Sequence, residues 1–309
     1  MAAHNRKQQL CFQRRFCSLA FFSVLLVIAL TLFTSNRPVK GVFYQPLNRD
    51  ADVNEQQWQS LLHQAVVASE DLSEVVVQWN QYGEADFGGK SGWLAKRLST
   101  FDQAGLKIWF GLYSDPLYFE SVHSDEATQD QYLAHYFELL LANYNNWRDW
   151  LNENKRFVKG VYVPAELSDY DFDTQPKREA LKQQLRKVKE AIKEPVMISV
   201  YFSGNSSLES LHNWLKDISD LDIKVMVQDG RGTQLLNDAT WQKYQMELPC
   251  SIAVIKEVFI MGEQKPPTYE RLSSKDFASQ FNQNHECHAW YAFSLRYFPL
   301  PDNPLKLHD

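Results

Sequence analysis

The sequence predicts a (β/α)8 TIM barrel preceded by one N-terminal transmembrane helix. Three observations carry that expectation. From residue 40 onward, eight short apolar runs alternate with longer amphipathic segments, and strands alternating with helices imply a parallel sheet with crossover connections. Eight such units in residues 40–309 suit a closed barrel better than an open sheet. No GxGxxG or GxxxxGK[ST] follows the first run, so the main cue for a doubly wound nucleotide-binding sheet is missing. With 44% hydrophobic residues among 309, the chain has enough apolar material for one large domain. The sequence shows no second one.

The elements follow in order. GVFYQP (41–46) precedes a helical pattern at 54–69, SEVVVQWN (73–80) one at 92–104, and KIWFGLY (107–113) a long one near 128–153. The fourth run, Phe157 to Val163, is rich in β-branched and aromatic residues and is closed by Pro164, which reads as a buried strand with a stop signal. A charged, amphipathic helix at 177–193 comes next. PVMISVYF (195–202) leads to 207–219, DIKVMVQDG (222–230) to a weaker helix at 239–247, SIAVIKEVF (251–259) to 274–284, and AWYAFSLRYF (289–298) to the end.

Ahead of the barrel, Arg6, Lys7, Arg14 and Arg15 precede residues 16–33, eighteen positions without a charge. That length reaches the lower limit for crossing a bilayer, and the basic flank places residues 1–15 in the cytoplasm. Ser35-Asn36-Arg37-Pro38 offers no small-x-small cleavage pattern, which favours an uncleaved signal anchor over 16–34. The domain at 40–309 is then exported, giving a single-pass protein of a bacterial inner membrane with its barrel in the periplasm. Cys250 and Cys287 fall in the exported part, just before the seventh and eighth runs. Neighbouring parallel strands would bring them to one rim, and an oxidising compartment would join them as a disulfide.

A net charge of −6 speaks against nucleic acid as partner. The eight histidines are scattered, with no HExxH and no paired-Cys spacing, and His285 and His288 read as surface residues; no metal or cofactor is expected. There is no GxSxG for a nucleophilic serine.

In a TIM barrel, ligands meet the loops that follow the strands. Those loops hold Tyr44, Gln45, Gln78, Trp79, Asn80, Tyr113, Tyr201, Ser203, Gln228, Asp229, Arg231, Glu263, Arg296 and Tyr297, together with Glu166 and Glu257. Two carboxylates on different strands facing one cavity equip a protein for glycoside hydrolysis, one delivering a proton to the leaving oxygen and the other attacking or activating water. Glu166, two residues past Pro164, is the candidate acid. Glu257 is its candidate partner, because a charge within the apolar AVIKEVF is costly to bury without a pair or a purpose. Tyr44, Gln45, Gln78, Trp79, Tyr113, Tyr201, Asp229 and Arg296 are candidate substrate contacts. For Asp229 a second reading stays open, that of an Asp-Gly turn. Trp109, in mid-run, reads as core.

GVFYQP, VVVQWNQYG (75–83), PAE (164–166), VQDGRG (227–232) and KEVF (256–259), in that order and spacing, resemble the bacterial domain-of-unknown-function 4434 family, itself similar to TIM-barrel glycoside hydrolases with catalytic glutamates on strands four and seven. The resemblance covers residues 40–300 and implies Glu166 as acid/base and Glu257 as nucleophile. The expected activity is cleavage of a polysaccharide or oligosaccharide. The alternative is a non-catalytic carbohydrate-binding barrel serving envelope or exopolysaccharide assembly.

Overall fold

A computed structural model describes residues 40–69, 71–234, 236–264, 267–281 and 287–306. The predicted membrane anchor, its cytoplasmic flank and His285 lie outside the described residues. Among the described residues, no helix is long and apolar enough to cross a membrane.

Eight parallel strands close into a barrel: β1 (Lys40–Tyr44), β2 (Leu72–Val77), β3 (Lys107–Gly111), β4 (Val158–Ser168), β5 (Val196–Tyr201), β6 (Ile223–Gln228), β7 (Ala253–Glu257) and β8 (Trp290–Phe293). Each pairs with its sequence neighbours, and β1 closes the ring by pairing Lys40, Gly41 and Val42 with Trp290, Tyr291 and Ala292 of β8. Helices fill the crossovers: α1 (Glu55–Ala68), α2 (Trp93–Gln103), α3 (Glu126–Glu153), α4 (Gln175–Ala191), α5 (Leu208–Ser219), α6 (Asp238–Glu247) and α7 (Ser274–Phe281). Their starts are marked by polar caps that accept orphan amide protons: Asn54 from Gln57, Asp125 from Ala127 and Thr128, Ser207 from Ser210 and Asn237 from Thr240.

Alternation along each strand sorts side chains into two cores. Phe43, Val76, Trp109, Tyr162, Met197, Met226, Ile255 and Tyr291 fill the interior, while residues such as Val42, Val75, Ile108, Val161, Ile198, Val225 and Val254 pack outward against the helices. At the amino-terminal end of the barrel, buried Glu74 accepts hydrogen bonds from Trp109 Nε1 and Tyr291 Oη, both at 2.7 Å, and from Lys159.

The fourth strand corrects a sequence expectation. It does not stop at Pro164 but runs to Ser168, with a register shift: Val163 pairs with Ile198, and Glu166 with the next residue, Ser199. Pro164 and Ala165 form a bulge, where the missing proline N–H costs no ladder bond. Two extra residues preserve the alternation, so Glu166 keeps the inward direction of Tyr162, whose Oη lies 2.7 Å from Ser199 Oγ. The eighth strand is shorter than its apolar run, ending at Phe293 before a 3-10 turn at Leu295–Tyr297. Two small pairings were not anticipated, Gln81–Tyr82 with Tyr113–Ser114 and the hairpin Phe259–Met261 with Tyr269–Arg271. Cys250 and Cys287 are joined as expected, their Cα atoms 5.3 Å apart, just before the neighbouring strands β7 and β8.

Candidate active site

The carboxyl ends of the strands open into a cavity of about 710 Å3, a size typical of small-ligand sites. Glu166 from β4 and Glu257 from β7 both line it. Around them stand Gln45, Tyr201, Ser203, Gln228 and Thr233, and a wall of Phe119, Tyr170, Phe259, Tyr269, Phe293 and Tyr297.

The two carboxyl groups sit in different surroundings. Burial raises the proton affinity of Glu166, and the nearby charge of Glu257 raises it further; hydrogen bonds from Gln228 and Gln78 oppose both, leaving a pKa of about 7. Gln78 Nε2 donates to Glu166 Oε1 at 3.0 Å. Burial also raises Glu257 above the ordinary carboxylate value, with hydrogen bonds opposing it: Thr233 gives a backbone N–H at 2.8 Å and its hydroxyl at 3.1 Å to Oε2, and Gly232 adds a backbone hydrogen bond. This cradle needs a glycine. A Cβ at position 232 would stand 2.6 Å from the Phe259 carbonyl oxygen and 2.9 Å from Glu257 Cβ, so only the bare backbone passes that close. The arrangement thus holds the Glu166 proton up to a pKa of about 7, beside a second buried carboxyl group whose proton affinity is also raised and whose oxygens receive hydrogen bonds from Thr233 and Gly232.

Asp229 is buried behind the site. Its Oδ1 accepts the Glu257 amide at 3.1 Å and the Arg231 amide at 3.3 Å. Burial, followed by the charge of Glu257, pushes its pKa up to about 7. Its hydrogen bonds fix the backbone of β7 and of the β6 loop, as the Asp-Gly turn reading has it; contrary to the substrate-contact reading, it is not among the side chains that line the cavity.

The other expected contacts divide. Gln45 and Tyr201 line the cavity, and Gln78 reaches it through Glu166. Tyr44 and Arg296 do not. Arg296 is buried against Asp50, with Nη2 to Oδ2 at 2.8 Å and Nη1 to Oδ1 at 3.2 Å, and Tyr44 Oη donates to the same Oδ2 at 3.1 Å. A second proton of Arg296 Nη2 goes to the Gln45 carbonyl at 2.8 Å, so this pair anchors the loop that presents Gln45. Trp79 is also buried, its indole N–H donating to the Pro46 carbonyl at 3.1 Å, and Tyr113 packs beside Tyr136 rather than in the cavity. Each of these strand-end residues turns away from the cavity, a choice that loop position does not reveal. His288 is buried, with Nδ1 2.9 Å from the Ile252 carbonyl, and not a surface residue. Glu263 is exposed and lies off the cavity.

Sequence reasoning missed Phe119, Tyr170, Thr233, Phe259, Tyr269 and Phe293 as lining residues. Thr233 had a signal, since a threonine just beyond QDGRG offers both a hydroxyl and an amide where a strand-end loop turns. Among the described residues, no group of three or more His, Cys, Asp and Glu side chains is placed to hold a metal ion.

Fold and site together define a TIM barrel whose strand-end mouth carries a paired-glutamate cavity. The chain belongs to the family described as "Domain of unknown function (DUF4434)", whose model matches residues 39–293. It is similar to the uncharacterized protein YbcH of Escherichia coli (strain K12), 30% identical over 298 residues that span 92% of this chain and 99% of YbcH. Among solved structures, it resembles a proposed α-L-fucosidase from Bacteroides thetaiotaomicron VPI-5482, with a TM-score of 0.52, 15% identity, and coverage of 86% of this chain and 89% of that one. That likeness shows a shared fold.

Proposed function

We propose that the chain is a glycoside hydrolase acting on a polysaccharide or oligosaccharide in the bacterial envelope. The observation that carries the proposal is a pair of glutamates from separate barrel strands lining one cavity, one protonated near neutral pH and the other held by Thr233 and Gly232. Glu166 gives its proton to the glycosidic oxygen as the bond to the anomeric carbon breaks; Glu257 either attacks that carbon or takes a proton from the water that does. The aromatic wall suits the apolar faces of sugar rings, and Gln45, Gln228 and Ser203 offer hydrogen bonds to hydroxyls. The likeness to the proposed fucosidase supports the reading at the level of fold alone.

The apolar segment at 16–33 with its basic flank supports placement as a single-pass inner-membrane protein with the barrel in the periplasm, and the Cys250–Cys287 bridge suits an oxidising compartment. The test is release of reducing ends from a panel of bacterial exopolysaccharides by the full chain and by Glu166→Gln and Glu257→Gln. Turnover lost in both variants, with glycan binding retained, is the expected result. Binding without turnover in the native chain would refute hydrolysis and favour the carbohydrate-binding alternative.

A further inference from the structure

Nine large hydrophobic residues are exposed among the described residues, and they are not scattered evenly. Val67, Leu139 and Met246 lie on the crossover helices, whereas Tyr82, Leu117, Phe119 (in the short helix Tyr118–Val122), Tyr170, Ile260 and Tyr269 belong to the segments that follow the carboxyl ends of barrel strands. Two of these tyrosines share a loop or hairpin with the strands that bear the glutamates. Tyr170 comes four residues after Glu166, and Tyr269 lies in the hairpin that follows Glu257. Both touch the cavity, yet 50% of Tyr170 and 41% of Tyr269 is exposed to solvent.

Tyr170 is exposed but not loosely held. Asp169, before it, is buried and accepts hydrogen bonds from the Ser203 amide, the Ser203 hydroxyl and the Ser206 amide. Asp171, after it, is buried and accepts the Ser168 hydroxyl at 2.6 Å, while its carbonyl takes Gln129 Nε2 at 2.8 Å. The ring itself stacks on His123, centroids 4.7 Å apart and planes 11° off parallel. His123 is oriented in turn by Asp171, Nδ1 to Oδ1 at 3.2 Å. One face of a rigid ring is thus occupied by the imidazole, leaving the other as a flat apolar platform. Across the site, Tyr269 is held edge-on by Phe259 at 5.4 Å.

We infer that Tyr170 and Tyr269 are sugar-stacking subsites lying on either side of the cleaved bond, so that the enzyme acts within a glycan chain and not at its end. This rests on the hydrolase reading above. A chain that passes from one tyrosine to the other crosses the carboxyl groups of Glu166 and Glu257, because each tyrosine extends the strand that carries one of them. An enzyme that removes single terminal units needs a closed end to its pocket; here the aromatic surface continues out of the cavity beside both strands.

The experiment uses ladders of uncharged gluco- and N-acetylhexosamine oligosaccharides of two to eight rings. Affinity is measured calorimetrically on the full chain carrying Glu166→Gln, and product length on the native chain. The expected result is affinity that rises with length, and a Tyr170→Ala change that weakens octasaccharide binding roughly three- to tenfold, the range of one aromatic face, while leaving the disaccharide unaffected. Tyr170→Phe, which keeps the ring, should restore it. Affinity independent of length, or equal weakening of short and long ligands, would overturn the subsites. Cleavage one terminal unit at a time would also overturn them and leave hydrolysis standing. Length-dependent binding lost in Tyr170→Ala, with no cleavage by the native chain, would do the reverse.

Discussion

Replacing Glu166 by Gln should abolish turnover and, above neutral pH, make the protein more stable. The folded chain holds the Glu166 proton up to a pKa of about 7, against an ordinary value of 4.5. Each tenfold gain in proton affinity corresponds to about 1.4 kcal/mol, so above pH 7 the native carboxylate costs the fold about 3 kcal/mol as an upper limit, and about 2 kcal/mol after allowance for the part of the side chain that meets solvent. The sign follows from linkage. A raised folded pKa contributes stability in full below about pH 4.5 and loses it as pH climbs through 7. Glutamine cannot ionise, and its amide oxygen can still accept from Gln78 Nε2. The variant should therefore unfold at the same urea concentration as the native chain near pH 4, and melt roughly 4 to 8 °C higher at pH 8, taking 2 to 4 °C per kcal/mol for a domain of this size. Paired urea and thermal titrations of both chains across that range would check it. Equal stability at pH 8, or a variant destabilised at every pH, would show that Glu166 is an ordinary solvated carboxylate and would remove the basis for its role as acid.

Other consequences are open to direct measurement. If Glu166 must be protonated, kcat/KM should fall about tenfold per pH unit above its pKa near 7, and a flat profile to pH 9 would refute the assignment. Thr233→Val removes the hydroxyl that reaches Glu257 at 3.1 Å but keeps the backbone donor; the acid limb of the profile should move upward and turnover drop about tenfold. Among the described residues, the cavity wall holds no Lys, Arg or His beside its two glutamates. Uronate oligomers should accordingly bind at least tenfold more weakly than uncharged ones of equal length, as calorimetry would show. Replacing Cys250 and Cys287 together by Ser opens a link that spans 37 residues, worth about 4 kcal/mol in chain entropy, and should lower the melting temperature on the order of 10 °C while leaving turnover at 25 °C unchanged.

Much of this molecule is legible in its sequence because the signals are periodic. Runs such as SEVVVQ and MISVY, each followed by an amphipathic stretch, leave little choice but buried parallel strands and covering helices. Glu257 was legible for a related reason, since an ionisable group within an apolar run must find donors or a function. Glu166 was expected in the loop just past the fourth strand and lies within that strand instead, because Pro164 was misread as an end. Proline's missing N–H ends a ladder only when the strand keeps its register, and here a two-residue bulge set it aside.

The strand-end residues show where sequence reasoning runs out. Tyr44, Trp79, Tyr113 and Arg296 occupy the same kind of position as Gln45 and Tyr201, yet the first four turn away from the cavity toward Asp50, Pro46, Tyr136 and Asp50 again. Their partners lie up to 246 residues away, and no local spacing encodes such a pairing. The aromatic wall was missed for the same reason, because Phe119, Tyr170 and Tyr269 come from loops that only barrel closure gathers around one opening.

By itself the sequence determined the strands, the helices, the closed ring and the two carboxylates, because alternation and the cost of burying charge are local properties of the chain. Only the tertiary structure decided which polar side chains face the ligand space, how donors divide between Glu166 and Glu257, and where aromatic faces stand open. Those outcomes depend on distances between segments remote in sequence, which packing sets and periodicity does not.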